Sequence, residues 1–335
     1  MRQAAIEFAT LVDKAWQQGQ RWDAFFCTDM LNVAEFKGLL QSDASKIPIL
    51  LYFHENQFVY PNRVDDPRDF HFPFTNFTSA LAADHVWFNS EFNRDSMLQE
   101  LLVVAEKWPS YSPVEAIEII KGKSHIQPPG ADLTVLPDPN FESSGPVHVV
   151  WASRWEHDKN PNRLLEILRD LKSRNVEFAL SVLGESYSNV PDTFPAIQTE
   201  FADQIINWGY QETRQSYFEA IAAGDVFLST ADHEFFGIAA IEGMAAGLIP
   251  ILPNGLAYPE VLQSLSSGLS LDYLSDCLYN SVDDAALKII NASDRSREQR
   301  QQLSDAVRAR YSADVRAREM DQAICNLIET QCKSF

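Results

Sequence analysis

The chain has 335 residues, 45% hydrophobic and 22% charged, a composition ordinary for a folded protein and a length that implies two domains with separate cores. Its 47 acidic residues against 27 basic ones leave a net charge of −20, which repels polyanions, so any nucleic-acid partner must meet a local basic patch. No apolar run approaches the roughly 20 residues of a membrane span, and the opening Met-Arg-Gln-Ala-Ala-Ile-Glu-Phe lacks a signal-peptide core; the expected location is the cytoplasm.

Ala5, Phe8, Val12, Ala15 and Trp16 recur near helical spacing, which predicts an amphipathic helix within residues 3–20. The apolar runs 24–27, 48–53 and 85–88 read as buried parallel strands, with helices expected over 69–83 and 91–107. Ser- and Pro-rich segments at 109–113 and 137–146 interrupt this pattern, and the second is the expected domain boundary because a fresh strand–helix series follows it. In that series 147–151, 178–183, 205–208, 225–229 and 248–252 read as strands, and the chain turns helical and charged from 285 onward. The expected organisation is an N-terminal α/β domain over 1–143, a C-terminal doubly wound α/β domain over 144–315 and a closing helix over 316–335. Cys27, Cys277, Cys325 and Cys332 form no C-x-x-C pair, which argues against a disulfide framework or a zinc knuckle and for packing roles.

Open parallel sheets bind ligands beyond the carboxyl ends of their strands, so two such domains imply a cleft lined by the loops that follow each strand. The strand at 147–151 leads into Ser-Arg-Trp-Glu-His-Asp-Lys at 153–159. Arg154 and Lys159, ahead of a helix N-terminus, suit a diphosphate: the guanidinium grips two oxygens and the ammonium acts as a point charge. The alternative is an ordinary solvated loop in which they pair with Glu156 and Asp158. After the strand at 225–229, Glu234 falls in a loop, Gly237 at a helix start where a phosphate can approach the backbone, and Glu242 inside the helix. A carboxylate at Glu242 can accept both hydroxyls of a ribose and one at Glu234 can hold sugar hydroxyls; the bland reading is a helix-surface residue and a cap. Phe235, Phe236, Ile238, Ala239, Ala240 and Ile241 make the segment too apolar for a free surface helix, so its carboxylates need partners. The strand at 48–53 ends in His54, Glu55, Asn56 and Gln57, four polar side chains suited to sugar recognition, and Gly184 is a turn candidate after 178–183. The sequence has no Asp-x-Asp metal–nucleotide motif, P-loop, G-x-G-x-x-G or G-x-S-x-G, so a bound diphosphate would be neutralised by Arg and Lys with no metal ion.

The pairing of Arg154 and Lys159 with Glu234 and Glu242, an E-x7-E spacing, resembles the family 4 retaining glycosyltransferases of the GT-B fold. Over residues 20–265 the wording is similar to one subgroup, the tRNA-queuosine mannosyltransferases, in Tyr52-Phe53-His54-Glu55-Asn56-Gln57, Phe88-Asn89-Ser90, Arg154-Trp155-Glu156-His157-Asp158-Lys159, Val182-Leu183-Gly184-Glu185 and His233-Glu234-Phe235-Phe236-Gly237. The resemblance implies two Rossmann-like domains and retaining transfer of mannose from GDP-mannose to queuosine in an aspartate tRNA, without a cofactor. It assigns Arg154 and Lys159 to the diphosphate, Glu242 to the ribose, and Glu234, with Gly184, Phe235, Phe236 and Gly237, to the rest of the donor. It also implies that His54 faces the reacting centre, with Glu55, Asn56, Gln57 and Asn89 on the acceptor side. Relatives begin with an additional strand and a Gly-Gly-Ser-His loop that this sequence does not show, so the expectation is either a misassigned or truncated start or an N-terminal sheet that lacks that strand and part of its acceptor loop. The charge of −20 keeps open a lipid, glycan or small-molecule acceptor, with Arg63, Arg68, Arg94, Lys121 and Lys123 the basic residues available for a tRNA; another sugar donor is a further alternative, and the missing N-terminal segment keeps open an inactive nucleotide-sugar binder.

Overall fold

The computed structural model describes residues 3–61, 71–105, 112–139, 141, 145–186, 190–266, 272–294 and 296–332. The chain divides into two compact units, Met1–Pro128 with Glu319–Phe335, and Pro129–Arg318. Arg63 and Arg68, positions 69–70, 106–107 and 109–111, and part of the 137–146 segment lie outside the described residues.

The first unit runs α1 (Ala4–Gln17), β1 (Phe25–Thr28), α2 (Val33–Leu39), β2 (Ile49–Phe53), α3 (His71–Ala82), β3 (His85–Phe88), α4 (Glu91–Ala105), α5 (Val114–Gly122) and β4 (Ser124–Ile126). Its four strands are parallel in the order β1-β2-β3-β4. Every residue of β2 is buried, as a strand covered on both faces demands. Ile49, Leu51 and Phe53 pack with Val86 and Phe88 into the main apolar cluster of this unit. The helix C-terminus of α3 is closed by lysines: Lys123 Nζ donates to the carbonyls of Leu81 (2.8 Å) and Ala83, and Lys37 Nζ to that of Ala82 (3.2 Å). Lys123 is therefore spent inside the fold, and Arg94 is paired with Asp95 at 2.6 Å.

The second unit runs β5 (Val147–Ala152), α6 (Pro161–Ser173), β6 (Phe178–Leu183), α7 (Thr193–Glu200), β7 (Ile205–Gly209), α8 (Arg214–Ala222), β8 (Val226–Leu228), α9 (Ile238–Ala245), β9 (Ile249–Pro253), α10 (Tyr258–Ser266), β10 (Leu278–Tyr279), α11 (Val282–Ile290), α12 (Arg297–Tyr311) and the start of α13 (Ala313–Cys332). Its six parallel strands are ordered β10-β9-β8-β5-β6-β7. Counted from β5 this is the 3-2-1-4-5-6 order of a doubly wound dinucleotide fold, whose strand order reverses between β5 and β8. Buried Arg300 fastens α12 to this unit, donating to Gly247 O at 2.7 Å and pairing with Asp225 at 3.2 Å. From Glu319, α13 belongs to the first unit, where Met320, Ala323, Ile324 and Leu327 cover Leu50, Tyr52 and Trp87, the other face of that sheet.

The expected boundary at 143/144 and the observed division at 128/129 differ because Ala131 is tied to the second unit. Its N–H donates to Tyr311 O and its carbonyl accepts from Ala313 N, both at 2.8 Å. Cys27 and Cys277 are buried and burial pushes the Cys27 thiol up to about 11, whereas Cys325 is exposed; the Cys332 side chain lies outside the description. Among the described residues no helix is long and apolar enough to cross a membrane.

Candidate active site

At the β5/β8 switch point two loops are sewn together. The Trp151 indole donates to the Thr230 hydroxyl (2.9 Å), which donates to Lys159 O (2.7 Å). Asp232 N donates to Asp158 O at 2.9 Å, while Arg163 and Asn160 hold the Asp232 carboxylate at 2.6 and 2.8 Å. Asn160, in the left-handed region at φ 48°, caps α6 by accepting from Arg163 N, and Pro161 occupies the first helical position. These ties fix the backbone of Lys159 in a single turn of 3-10 helix, His157–Lys159, and turn its side chain inward.

The resulting pocket is lined by Ser153, Lys159, Thr230, Glu234, Gly237 and Tyr258 among others. Lys159 is buried, with Nζ 3.3 Å from Glu234 Oε2, 3.2 Å from Asp158 Oδ2 and 2.9 Å from His233 O. Burial works against its charge, but Glu234 and Asp158 outweigh that and hold its pKa above the ordinary lysine range. Burial and the adjacent ammonium push His233 down to about 4, so its imidazole is neutral at physiological pH. Gly237, at φ 92°, caps α9, and a Cβ there would lie 2.8 Å from the Tyr258 ring. Glycine thus lets the N-terminus of α9 open into the pocket. Lys159, Glu234 and Gly237 are brought together at this pocket.

Glu242 is not a helix-surface residue: it is 4% exposed, with Oε1 2.8 Å from Arg214 and Oε2 accepting from the Tyr217 hydroxyl at 2.8 Å. Burial raises its pKa, against Tyr217 and Arg214, which favour the ionised form. Both loop pairings of the alternative reading exist, Arg154 with Glu156 at 3.5 Å and Lys159 with Asp158, yet only Arg154 is exposed. Gly184, at φ 148°, sits where a Cβ would meet Ser153 O at 1.8 Å, so it allows the β6 end to pass tightly under the Ser153 loop. Phe235 and Phe236 are buried, the first edge-on to His233 and the second to Tyr311, so their side chains shape the loop from behind. Among the described residues no group of three or more His, Cys, Asp or Glu side chains gathers to hold a metal ion.

In the first unit, the loop after β2 is built on amides. Asn56 is fully buried, donating to Asn93 Oδ1 (2.9 Å) and accepting from Phe58 N and Val59 N. Asn93 in turn donates to Asn89 Oδ1 (2.9 Å), and Asn89 donates to His54 O (2.7 Å). Asn76 on α3 accepts from Gln57 N at 2.8 Å, and Gln57 donates to Glu55 at 2.8 Å. Asn56 and Asn89 therefore position the loop rather than face solvent, while His54 is exposed and bonded through Nδ1 to Asp29 at 3.1 Å. Sequence reasoning missed Asp29, Arg214 and Tyr217. For Asp29 the available signal was a carboxylate just past the carboxyl end of β1; the other two stand 28 and 25 positions from Glu242, where no local pattern reaches.

Residues 1–131 match the family model described as tRNA-queuosine alpha-mannosyltransferase N-terminal, and residues 136–310 match that of glycosyl transferases group 1. A tRNA-queuosine alpha-mannosyltransferase of Drosophila melanogaster is 33% identical over 299 residues, 87% of this chain and 75% of the fly protein. A GDP-mannose:cellobiosyl-diphosphopolyprenol alpha-mannosyltransferase of Xanthomonas campestris is 30% identical over 107 residues, 32% of this chain and 28% of that protein. Among solved structures, sucrose-phosphate synthase from Thermosynechococcus elongatus aligns at a TM-score of 0.68 and 16% identity, covering 97% of this chain and 78% of its own. The Anabaena protein HepE in complex with UDP aligns at 0.68 and 12% identity, covering 96% and 82%. At these identities the structures establish the fold, GT-B, and the family matches establish a glycosyltransferase. With these two models matched in succession along the chain, and a relative matched along most of both chains, this chain belongs to the tRNA-queuosine alpha-mannosyltransferase family.

Proposed function

We propose that the chain transfers mannose from GDP-mannose to the queuosine base of a tRNA, with retention at the anomeric carbon. The observation that carries this reading is the match of the first unit to the N-terminal model of tRNA-queuosine mannosyltransferases, in a chain whose second unit holds a lysine–carboxylate pocket at the switch point of a doubly wound sheet.

In this reading the diphosphate lies over the N-terminus of α9, where the Lys159 ammonium stabilises the leaving group. Arg154 exchanges its exposed pairing with Glu156 for phosphate oxygens, and no divalent cation is needed. Glu234 accepts hydrogen bonds from hydroxyls of the mannose, and Glu242 from those of the ribose. The nucleophile is the acceptor hydroxyl, attacking on the face the diphosphate leaves, and its proton passes to the departing phosphate oxygen. His54 and its loop serve the acceptor, and the enzyme works in the cytoplasm. A second reading keeps this chemistry with another acceptor. The net charge of −20 and the internal use of Lys123, Lys37 and Arg94 favour it.

The test is transfer of labelled mannose from GDP-mannose into tRNA, with queuosine-containing and queuosine-free tRNA side by side and the digested nucleosides resolved. Label confined to queuosine supports the proposal. Binding of GDP-mannose with no label in tRNA moves the acceptor to the second reading, and absence of GDP-mannose binding removes the donor assignment.

A further inference from the structure

Asp29, in the turn after β1, is 3% exposed, and among the described residues its carboxylate has no lysine or arginine partner. A buried carboxylate so placed is costly unless strong donors meet it. Both of the donors that do meet it come from His54: the backbone N–H and the ring Nδ1, each 3.1 Å from the same oxygen, Oδ1. The Asp29 main chain is itself pinned, its N–H donating to Tyr52 O at 3.1 Å and its carbonyl accepting from Asn76 Nδ2 at 2.9 Å. Behind the imidazole stands the Tyr52 ring, 4.7 Å away and at 70° to it, and Asn89 holds the His54 carbonyl. The ring is thus gripped on its Nδ1 edge while the His54 side chain stays 59% exposed.

We propose that Asp29 is a positioning residue of the transfer reaction, holding His54 with its proton on Nδ1 so that Nε2 is a bare acceptor for a substrate hydroxyl. The inference rests on the reading above, in which His54 serves the acceptor. A carboxylate can only accept, so the neutral imidazole must donate from Nδ1, and the remaining ring nitrogen keeps its lone pair. Nothing covalent passes through Asp29; it selects the tautomer and fixes the direction of the ring, as buried carboxylates behind functional histidines do. Among the described residues the titratable side chains in contact with His54 are Asp29 and Tyr52, whose hydroxyl donates to Gln127 O at 2.9 Å; Glu55 adjoins it in sequence and accepts from Gln57.

The experiment uses the full chain with nitrogen-labelled histidine, His54→Asn to assign the ring signals, and Asp29→Asn, whose amide can donate as well as accept and so no longer dictates the tautomer. NMR of the wild type is expected to show the neutral His54 protonated on Nδ1. In Asp29→Asn that preference for Nδ1 is lost, because an amide beside the ring does not have to accept. In the transfer assay kcat falls about tenfold to a hundredfold, the scale for removing such a carboxylate, with KM for GDP-mannose and melting temperature unchanged. In the His54→Asn background Asp29→Asn costs nothing further, since the two act as one unit. A proton on Nε2 in the wild type, or an Asp29→Asn chain with unchanged tautomer and kcat, overturns the proposal. Should the wild type transfer no mannose to tRNA, the functional reading fails and the inference falls with it. The NMR result then separates that failure from a wrong account of Asp29.

Discussion

The two units use different chemistry to stiffen their loops. In the second, the loops at the switch point are locked by charge, with Lys159 between Glu234 and Asp158, Arg163 on Asp232, and Arg214 on Glu242. In the first, the loop after β2 is locked by amides, Asn56, Asn76, Asn89 and Asn93, with Asp29 the charged group bonded to His54. A buried ion pair can be reopened by a charged ligand, since the ligand's charge replaces the partner's. An amide network gains nothing from a charged ligand and simply holds a shape. Charge therefore suits a diphosphate, and amides suit an uncharged ligand.

The sharpest way to break this contrast is Lys159→Ala, which strands two carboxylates in the pocket. It should lower GDP affinity by a hundredfold or more, ~3 kcal/mol or above, by calorimetry, and lower the melting temperature as well. Next in size is a pH effect confined to the second unit. His233 titrates near 4 in the fold against an ordinary 6.5, so between those values the unfolded chain holds a proton that the folded one does not. Stability then falls as pH drops through that window, by about 3 kcal/mol at most, and His233→Gln should flatten the slope in denaturant titrations. Asn93→Ala addresses the first unit. It removes bonds to Phe53 O, Asn89 and Asn56 and should cost roughly 2 kcal/mol of stability while leaving GDP affinity unchanged. The smallest effect belongs to Arg154→Ala. Its exposed pair should be worth about 1 kcal/mol or less to thermal stability, so a drop in GDP affinity there reports ligand contact alone. Removing divalent cations with a chelator should leave GDP binding as it was.

Much of the architecture was legible because buried parallel strands are apolar runs: 48–53, 85–88, 147–151 and 178–183 read correctly within a residue. β4 and β10, three and two residues long, are too short for any periodicity to show. The loop and helix-start positions of Glu234 and Gly237 follow from local spacing, although the pairing of Glu234 with Lys159, 75 positions away, does not; the need of Glu242 for partners followed from the apolar run around it. That those partners are Arg214 and Tyr217 depends on α8 packing beside α9, a tertiary fact. The HENQ stretch illustrates a different limit. Four polar residues in a row look alike in sequence, yet burial makes Asn56 a brace and leaves His54 exposed.

The most direct test of the division of labour is a calorimetric titration of GDP into the wild-type chain, Lys159→Ala and His54→Ala. The account predicts wild-type affinity for His54→Ala and a loss of a hundredfold or more for Lys159→Ala. Equal losses in both variants, or wild-type affinity in Lys159→Ala, would contradict it.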